Sequence, residues 1–424
     1  MIKIVLLVLF YFTFPFLIIY LCKCSSAFKK MGSILLAYGF GLLLSISGIL
    51  PRGSEGYKLA LKGGSSLPAP EMETLLASGV ITPDDYTVNA IASAQDMMTT
   101  VIIPIAFPLL LFSLNIRRWL KHAKTGFLSM LLALVSVAVI IASGFLIFEN
   151  IVPDSWKVAG MLVSVYTGAT ANMASLSVAL DVDPSLFLMT NTYDIIMGAL
   201  TIIFFITAGP KVFRAILPRY KFTGESEDAD QAVAAAESFD DYSGMFRKER
   251  LLPLVKAFGM SLLIVAVSVG IAVLLFPPEA LNPVAILLIT TLAVAASLMP
   301  WINRIEKSFQ LGMYFILVFS LVVASMADFS VIFSRGYLGL FAFVIYAYFG
   351  SLLLHLVLSK LFRVNADDYL ITTTAFVYSP PFVPIVAAAL KNKEVIVTGI
   401  TVGVVGYIIG NYMGVGLAYF LKGL

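Results

Sequence analysis

Apolar residues gather in twelve runs, six in each half of the chain, and the polar stretches between them are short except at 51–92 and 209–250. The runs cover residues 2–22, 32–50, 96–114, 125–148, 155–181, 185–208, 251–276, 282–299, 309–327, 336–361, 367–391 and 394–421. A helix needs about 20 apolar residues to cross the hydrocarbon core of a bilayer. The pattern therefore predicts an all-α polytopic membrane protein.

Two of these runs are interrupted by helix-breaking residues. The run at 155–181 contains VYTGATANMAS, and the run at 367–391 contains VYSPPFVPIVA. Each sequence begins with a Val-Tyr pair and a small hydroxyl residue, and Gly or Pro then breaks the helix. Non-helical backbone at membrane depth is tolerated only where protein or a wet cavity surrounds it. Paired interruptions in corresponding positions of two halves are typical of a transporter binding site.

Other matches between the halves keep the same order. QDMMTTVIIPIAFPLLLFSLNI at 95–116 parallels QLGMYFILVFSLVVASMADFS at 310–330, and MGALTIIFF later parallels MGVGLAYFL. This order predicts a duplication. We expect a first repeat at 1–208 with an external loop at 51–92, a cytoplasmic linker at 209–250 and a second repeat at 251–424.

Positive charge indicates how the interrupted runs lie in the membrane. Lys and Arg gather at 22–30, 116–124, 209–250, 303–307 and 361–363, and such loops concentrate in the cytoplasm. If both interrupted runs cross the membrane, two of these loops fall on opposite sides. If each run is a re-entrant hairpin, all of them are cytoplasmic. The charges favour ten spans and two hairpins in inverted repeats, within the cytoplasmic (inner) membrane.

The bulk composition excludes several classes of protein. Apolar residues make up 60% of the chain and charged residues 12%, with a net charge of +3. The sequence lacks the stripe of basic residues with interleaved aromatics that is typical of nucleic-acid binding, so no nucleic-acid partner is expected. The motifs GxxxxGK[ST], HExxH and GxSxG are missing, so neither ATP-driven transport nor an enzyme is expected. No cofactor is expected beyond a coupling ion, and the expected partners are the lipid bilayer and a small-molecule solute.

Oxygen-bearing side chains near the first interruption predict an ion site. The candidate ligands are Thr170, Asn172, Asn191 and Asp194. A carboxylate within a span costs about 2.5–3.5 kcal/mol on insertion scales and is functional by default. Hydroxyl and amide oxygens suit Na⁺, whereas a titrating Asp194 would carry H⁺ instead. In a purely structural alternative, Asp194 is hydrogen-bonded to a neighbouring helix.

The interruptions themselves predict the solute site. Freed backbone groups, helix N-termini and small polar side chains suit a solute carboxylate. The candidate residues are Thr167, Gly168, Ser175, Ser379, Pro380, Pro381 and Asn411. The alternative is a pair of helix kinks whose polar groups are satisfied by neighbouring helices.

The segments VYTGATANMASLSVAL, PIAFPLLLFSLNIRR and GVVGYIIGNYMG together resemble the YjcL-like integral membrane protein family, a domain of unknown function. The family's first interruption reads Thr-Gly-Gly-Ser/Thr-x-Asn, which places Thr167, Gly168, Thr170 and Asn172 on that motif with Ala169 in place of the second Gly. The second interruption, SPPFVP, shares only a proline with the family's Gly-Gly-Pro. The family is similar in turn to inverted-repeat carriers of glutamate, citrate and bile acids, and the resemblance also implies a homodimer.

These observations favour a secondary active transporter with an alternating-access, elevator-like mechanism. We expect it to be Na⁺-coupled and to move a small organic anion, amino acid or short peptide. The alternatives are an H⁺-coupled carrier of the same fold or a channel. A channel predicts a continuous polar stripe, whereas the polar residues here cluster at the two interruptions.

Overall fold

The protein is described by a computed structural model. It describes residues 2–25, 28, 32–61, 66–112, 126–221, 241–245, 247–326, 335–378 and 380–424.

The described residues form helices and connecting loops. The long helices are α1 (Ile2–Cys24), α2 (Ser33–Ile46), α5 (Asp85–Phe112), α6 (Phe127–Phe148), α7 (Ser155–Ala179), α8 (Pro184–Ile206), α10 (Lys248–Leu275), α11 (Leu281–Ser297), α13 (Ser308–Met326), α14 (Arg335–Leu361), α15 (Ala366–Tyr378) and α17 (Val395–Lys422). The short helices are α3 (Glu55–Ala60), α4 (Ala69–Ala77), α9 (Gly209–Ile216), α12 (Pro300–Asn303) and α16 (Val383–Leu390).

Each of the twelve predicted apolar runs contains a helix, which confirms the all-α fold class for the described part of the chain. Nine helices of that part are long and apolar enough to cross a membrane: α1, α5, α6, α8, α10, α11 together with the 3₁₀ turn at Pro278–Ala280 before it, α13, α14 and α17. The 14 residues of α2 would extend only about 21 Å at 1.5 Å per residue. The hydrophobic patterning therefore produces a multi-pass arrangement of helices.

Helix α5 begins ahead of the third apolar run. The run starts near residue 96, whereas α5 begins at Asp85. The Asp85 carboxylate accepts hydrogen bonds from the backbone N–H groups of Thr82 and Ser54, both at 2.8 Å. These bonds cap the helix and tie it to the preceding segment, so the polar residues after Asp85 become helical although their hydropathy is low.

The predicted external loop at 51–92 contains two short helices. Tyr57 of α3 donates a hydrogen bond to the Asn89 side chain of α5 at 2.8 Å. Met72 of α4 is buried in a small apolar cluster with Tyr57 and Ile81. These contacts give the segment its own core.

The chain divides into two compact units, each drawn from both halves of the sequence. The first comprises Met1–Ala106, Asp181–Met189 and Gly312–Ile332, and the second comprises Phe107–Leu180, Thr190–Leu311 and Phe333–Leu424. In the first unit, Tyr11, Gln95 and Ser325 form a buried triad. Gln95 donates to the Tyr11 hydroxyl at 2.7 Å and to the Ser325 hydroxyl at 3.0 Å.

In the second unit, α7 folds back on itself. Its backbone leaves helical geometry at Gly168 and Ala169. A methyl group added at Gly160 would lie 2.9 Å from the Leu180 side chain. Twenty residues of straight helix would separate these positions by about 30 Å. We call α7, together with Leu180, the first hairpin.

Helices α15 and α16, joined by a 3₁₀ turn at Pro380–Phe382, form the second hairpin. Asn392, just past α16, donates to the Asp367 carboxylate at the start of α15 at 3.0 Å. Arg214 of α9 donates to both Asp367 oxygens, at 2.9 and 2.8 Å, and to the Leu390 carbonyl at 2.8 Å. These bonds hold the two ends of the hairpin together.

Only the ends of the predicted linker at 209–250 can be compared with the structure. Its first residues form α9, and residues 222–240 lie outside the described residues. Near its far end, the Asp241 carboxylate pairs with Lys307 at 2.8 Å. This hydrogen-bonded pairing lowers the pKa of Asp241.

Candidate binding site at the two hairpin tips

The break in the first hairpin is a short stretch of non-helical backbone. Gly168 has φ −141° and ψ 22°, and Ala169 has φ 57° and ψ −169°. The second pair of angles lies in a region that is essentially restricted to glycine. The hydroxyl of Thr167 donates to the Val163 carbonyl at 2.8 Å. Its proton is therefore used within the helical turn that precedes the break.

Both hairpin tips contact one face of α17, and glycines make this approach possible. A methyl group at Gly406 would overlap the carbonyl oxygen of Thr167 in the first tip. A methyl group at Gly403 would lie 2.7 Å from the Pro380 ring in the second tip. The two interruptions therefore meet the same helix less than one turn apart. We call the surface formed by Gly399, Gly403, Gly406, Gly410 and Gly414 the glycine face.

Asn172 follows the break and reaches the glycine face. Its side-chain N–H₂ group donates to the Tyr407 carbonyl at 3.1 Å and to the Gly406 carbonyl at 3.4 Å. Carbonyl oxygens only accept, so the amide nitrogen must face them. The amide oxygen Oδ1 is then left buried, and no described residue gives it a hydrogen-bond donor.

Asn411 repeats this arrangement from the α17 side. Its N–H₂ group donates to Thr290 at 3.0 Å and to Ser175 at 3.2 Å. Thr290 uses its own proton on the Ile286 carbonyl at 2.8 Å, so Thr290 can only accept from Asn411. Oδ1 of Asn411 is again buried without a donor from the described residues.

Asp194 lies in a different polar group on α8. It is 7% exposed, and its Oδ1 has no hydrogen-bond partner among the described residues. One helical turn further along α8, the Gly198 carbonyl accepts a hydrogen bond from Tyr378 at 2.8 Å. The hydroxyl of Tyr348 lies 2.8 Å from that of Tyr378, and the rings of Tyr348 and Tyr166 have centroids 5.4 Å apart. We call Asp194 and these three tyrosines the tyrosine cluster.

A small cavity borders the tyrosine cluster. It has a volume of about 20 Å³, and its lining includes Tyr166, Ser351, His355 and Thr373. A space of this size holds about one water molecule. His355 is buried between the hydroxyls of Ser129, at 3.4 Å, and Thr373, at 3.3 Å.

The structure separates the predicted site residues into two groups. Thr167, Gly168, Asn172, Ser175, Pro380 and Asn411 lie at or beside α17. Asp194 belongs to the tyrosine cluster, and no described hydrogen bond joins it to Asn172. Asn191 is fully buried, and neither atom of its amide has a described hydrogen-bond partner. Thr170 and Pro381 are half-buried, and Ser379 lies outside the described residues.

Sequence reasoning missed the tyrosines and Thr290. Tyr166 and Tyr378 are the tyrosines of the two matched Val-Tyr pairs, which signalled their correspondence. The spacing of the glycine face, at intervals of three or four residues from Gly399 to Gly414, was a second signal because it lines one side of a helix. Nothing in the sequence indicated Thr290 or Tyr348.

The fold and its apolar helices define a multi-pass membrane protein. The chain belongs to the family described as Protein of unknown function (DUF819), whose model matches residues 78–424. It is also 26% identical, over 325 residues, to the "Uncharacterized membrane protein YjcL" of Bacillus subtilis (strain 168). That match covers 75% of this chain and 81% of the relative.

Proposed function

We propose that the protein is a secondary active transporter that works by alternating access and is coupled to Na⁺. Its solute is a small organic anion, amino acid or short peptide, which crosses the cytoplasmic membrane. In this proposal the two halves are inverted repeats, and each contributes one re-entrant hairpin.

The meeting of the two hairpin tips on the glycine face carries this proposal. The Thr167 carbonyl and the Pro380 ring approach the backbone of α17 where no side chain separates them. Broken helices at the interface of two repeats place free backbone groups at one point inside the membrane. A static kink has no need for two such breaks to converge on a third helix.

The hydrogen-bond directions support a cation as the coupling ion. Asn172 and Asn411 both use their N–H₂ groups as donors, so each leaves a buried oxygen that only a donor or a cation can satisfy. Oxygen ligands without competing donors suit a hard monovalent cation. We place Na⁺ beside the first break, with Asn172 and Thr170 as ligands. Binding of the same ion by Asn191 stays a prediction. The sequence also predicted Asp194 as a ligand, but we leave it out of this ion site because no described hydrogen bond joins it to Asn172.

Thermal unfolding of the purified protein tests the coupling ion. A ligand that binds only the folded state raises its stability in proportion to RT ln(1 + [L]/Kd). We expect a saturable rise in Tm in NaCl relative to KCl at equal ionic strength. The rise should be lost in Asn172→Ala and kept in Asn282→Ala, where the asparagine is exposed.

The buried carboxylate of Asp194 favours the second candidate, an H⁺-coupled carrier. That candidate predicts equal Tm values in NaCl and KCl. It also predicts a pH-dependent Tm whose slope changes in Asp194→Asn. Equal Tm values in both salts at every pH between 5 and 9 would contradict Na⁺ coupling.

A further inference from the structure

Within the tyrosine cluster, the buried Asp194 carboxylate has an oxygen, Oδ1, without a hydrogen-bond partner among the described residues. The carboxylate lies within the membrane-spanning helix α8 and is almost fully buried. Among the described residues, no lysine, arginine or histidine pairs with it. An unpaired buried charge is strongly destabilising, so this carboxylate must either take up a proton or receive a positively charged partner.

Most of the tyrosine hydroxyl protons are already donated to groups other than Asp194. Tyr378 donates its only proton to the Gly198 carbonyl at 2.8 Å. Tyr348 lies 2.8 Å from the Tyr378 hydroxyl, and it must therefore be the donor in that pair. Only Tyr166 has a proton left for Asp194. Its hydroxyl lies near the carboxylate but does not meet the geometry of a direct hydrogen bond. One carboxylate oxygen at least remains without a donor.

The surroundings are aromatic rather than rich in free oxygens. The rings of Tyr166 and Tyr348 stand edge to face, with centroids 5.4 Å apart. The ring of Tyr378 also packs against that of Phe382 in the second tip, with centroids 5.7 Å apart. Aromatic rings around a carboxylate recognise organic ammonium groups through cation–π attraction and charge pairing. The amide oxygens of Asn172 and Asn411 beside α17, which have no described donor, are better ligands for a metal ion.

We propose that Asp194 binds the protonated amino group of the transported solute. The tyrosine cluster surrounds that group, and Tyr166 and Tyr378 bring one ring from each hairpin tip. The solute is then an amino acid or a short peptide, and organic anions without an amine are excluded. This inference rests on the proposed transport function and assigns the carboxylate to the solute instead of the ion.

Matched pairs of small molecules test the inference by thermal unfolding in NaCl. The probes are alanine against lactate, and alanyl-alanine against N-acetylalanine, because each pair differs in the presence of the amine. We expect at least one amine probe to raise Tm with an apparent affinity on the order of 100-fold above its partner, the effect of removing one member of a buried charge pair. Failure of both amine probes to exceed their partners would overturn the inference.

Two variants separate this inference from the proposed function. Asp194→Asn should lose the discrimination between alanine and lactate but keep the Na⁺-dependent rise in Tm. Asp181→Asn makes the same chemical change at an exposed position and should keep both responses. If Asp194→Asn loses the Na⁺ response instead, Asp194 is an ion ligand and the inference is wrong. If the wild type shows no Na⁺ response at all, the Na⁺-coupled transport proposal fails, whatever the amine probes show.

Discussion

The most distinctive single residue is Ala169, an alanine in a backbone conformation that favours glycine. Its φ of 57° and ψ of −169° are held by the packing of the tip, at a cost of about 1–3 kcal/mol for such a residue. The neighbouring Gly168 cannot take a side chain, because a methyl group there would overlap the Asn172 amide. The tip is therefore strained where the ion is proposed to bind.

We expect Ala169→Gly to stabilise the protein by about 1 kcal/mol, because relief of the strain exceeds the extra unfolded-state entropy of glycine, about 0.4–1 kcal/mol. Thermal unfolding in detergent measures the change. Ala171→Gly is the control, since it lies in regular helix two residues later and should cost about 1 kcal/mol. Equal destabilisation by both substitutions would show that Ala169 is not strained.

At the element scale, the glycine face of α17 organises both tips. Gly406→Ala should destabilise the protein and abolish its Na⁺ response, because the added methyl group overlaps the Thr167 carbonyl oxygen. Gly416 lies on the same helix with open space around it, so Gly416→Ala should be neutral or stabilise by about 1 kcal/mol through helix propensity. Tm in NaCl and in KCl measures both effects, and a normal Na⁺ response in Gly406→Ala would argue against a site at this contact.

The base of the second hairpin depends on an ion pair of unequal burial. The Asp367 side chain is fully buried, whereas the Arg214 side chain is 35% exposed. Among the described residues, Arg214→Ala leaves the buried carboxylate with Asn392 as its one side-chain partner, which costs about 3 kcal/mol. Asp367→Ala leaves a guanidinium that water can reach, so we expect a smaller loss of stability. The Tm values of the two variants show which loss of stability is larger. A larger loss in Asp367→Ala would contradict the expectation that the unpaired buried carboxylate is the costlier group.

The sequence predicted the elements better than their contacts. Hydropathy alone located the twelve long helices of the described residues, and the Gly and Pro residues located both breaks. Helix α5 extends back to Asp85, ahead of the apolar run, because the Asp85 carboxylate accepts a hydrogen bond from the backbone N–H of Ser54, 31 residues away. Likewise, the contact between Thr167 and Gly406 joins residues more than two hundred positions apart. Such pairs depend on tertiary packing, which the spacing of apolar residues in one helix does not encode.

At the scale of the whole molecule, the two hairpins give a specific expectation for sidedness. The fold-back of α7 brings Leu180 beside Gly160, so a re-entrant first hairpin returns the chain to the side that it left. The positive charges predict that this side is outside and that the base of the second hairpin is in the cytoplasm. Opposite entry sides are what an inverted repeat requires, since each tip then reaches the membrane interior from its own face.

Single cysteines test this arrangement in a Cys22→Ser, Cys24→Ser background, which removes both native cysteines. Asp181 and Lys393 are exposed, one beyond each hairpin. We expect a membrane-impermeant maleimide to label Asp181→Cys on intact cells, and to label Lys393→Cys only after permeabilisation. Glu149→Cys, exposed in the loop before the first hairpin, should be labelled from outside and serves as the control. If Asp181→Cys and Glu149→Cys were labelled from opposite sides, α7 would cross the membrane and the inverted repeats would lose their basis.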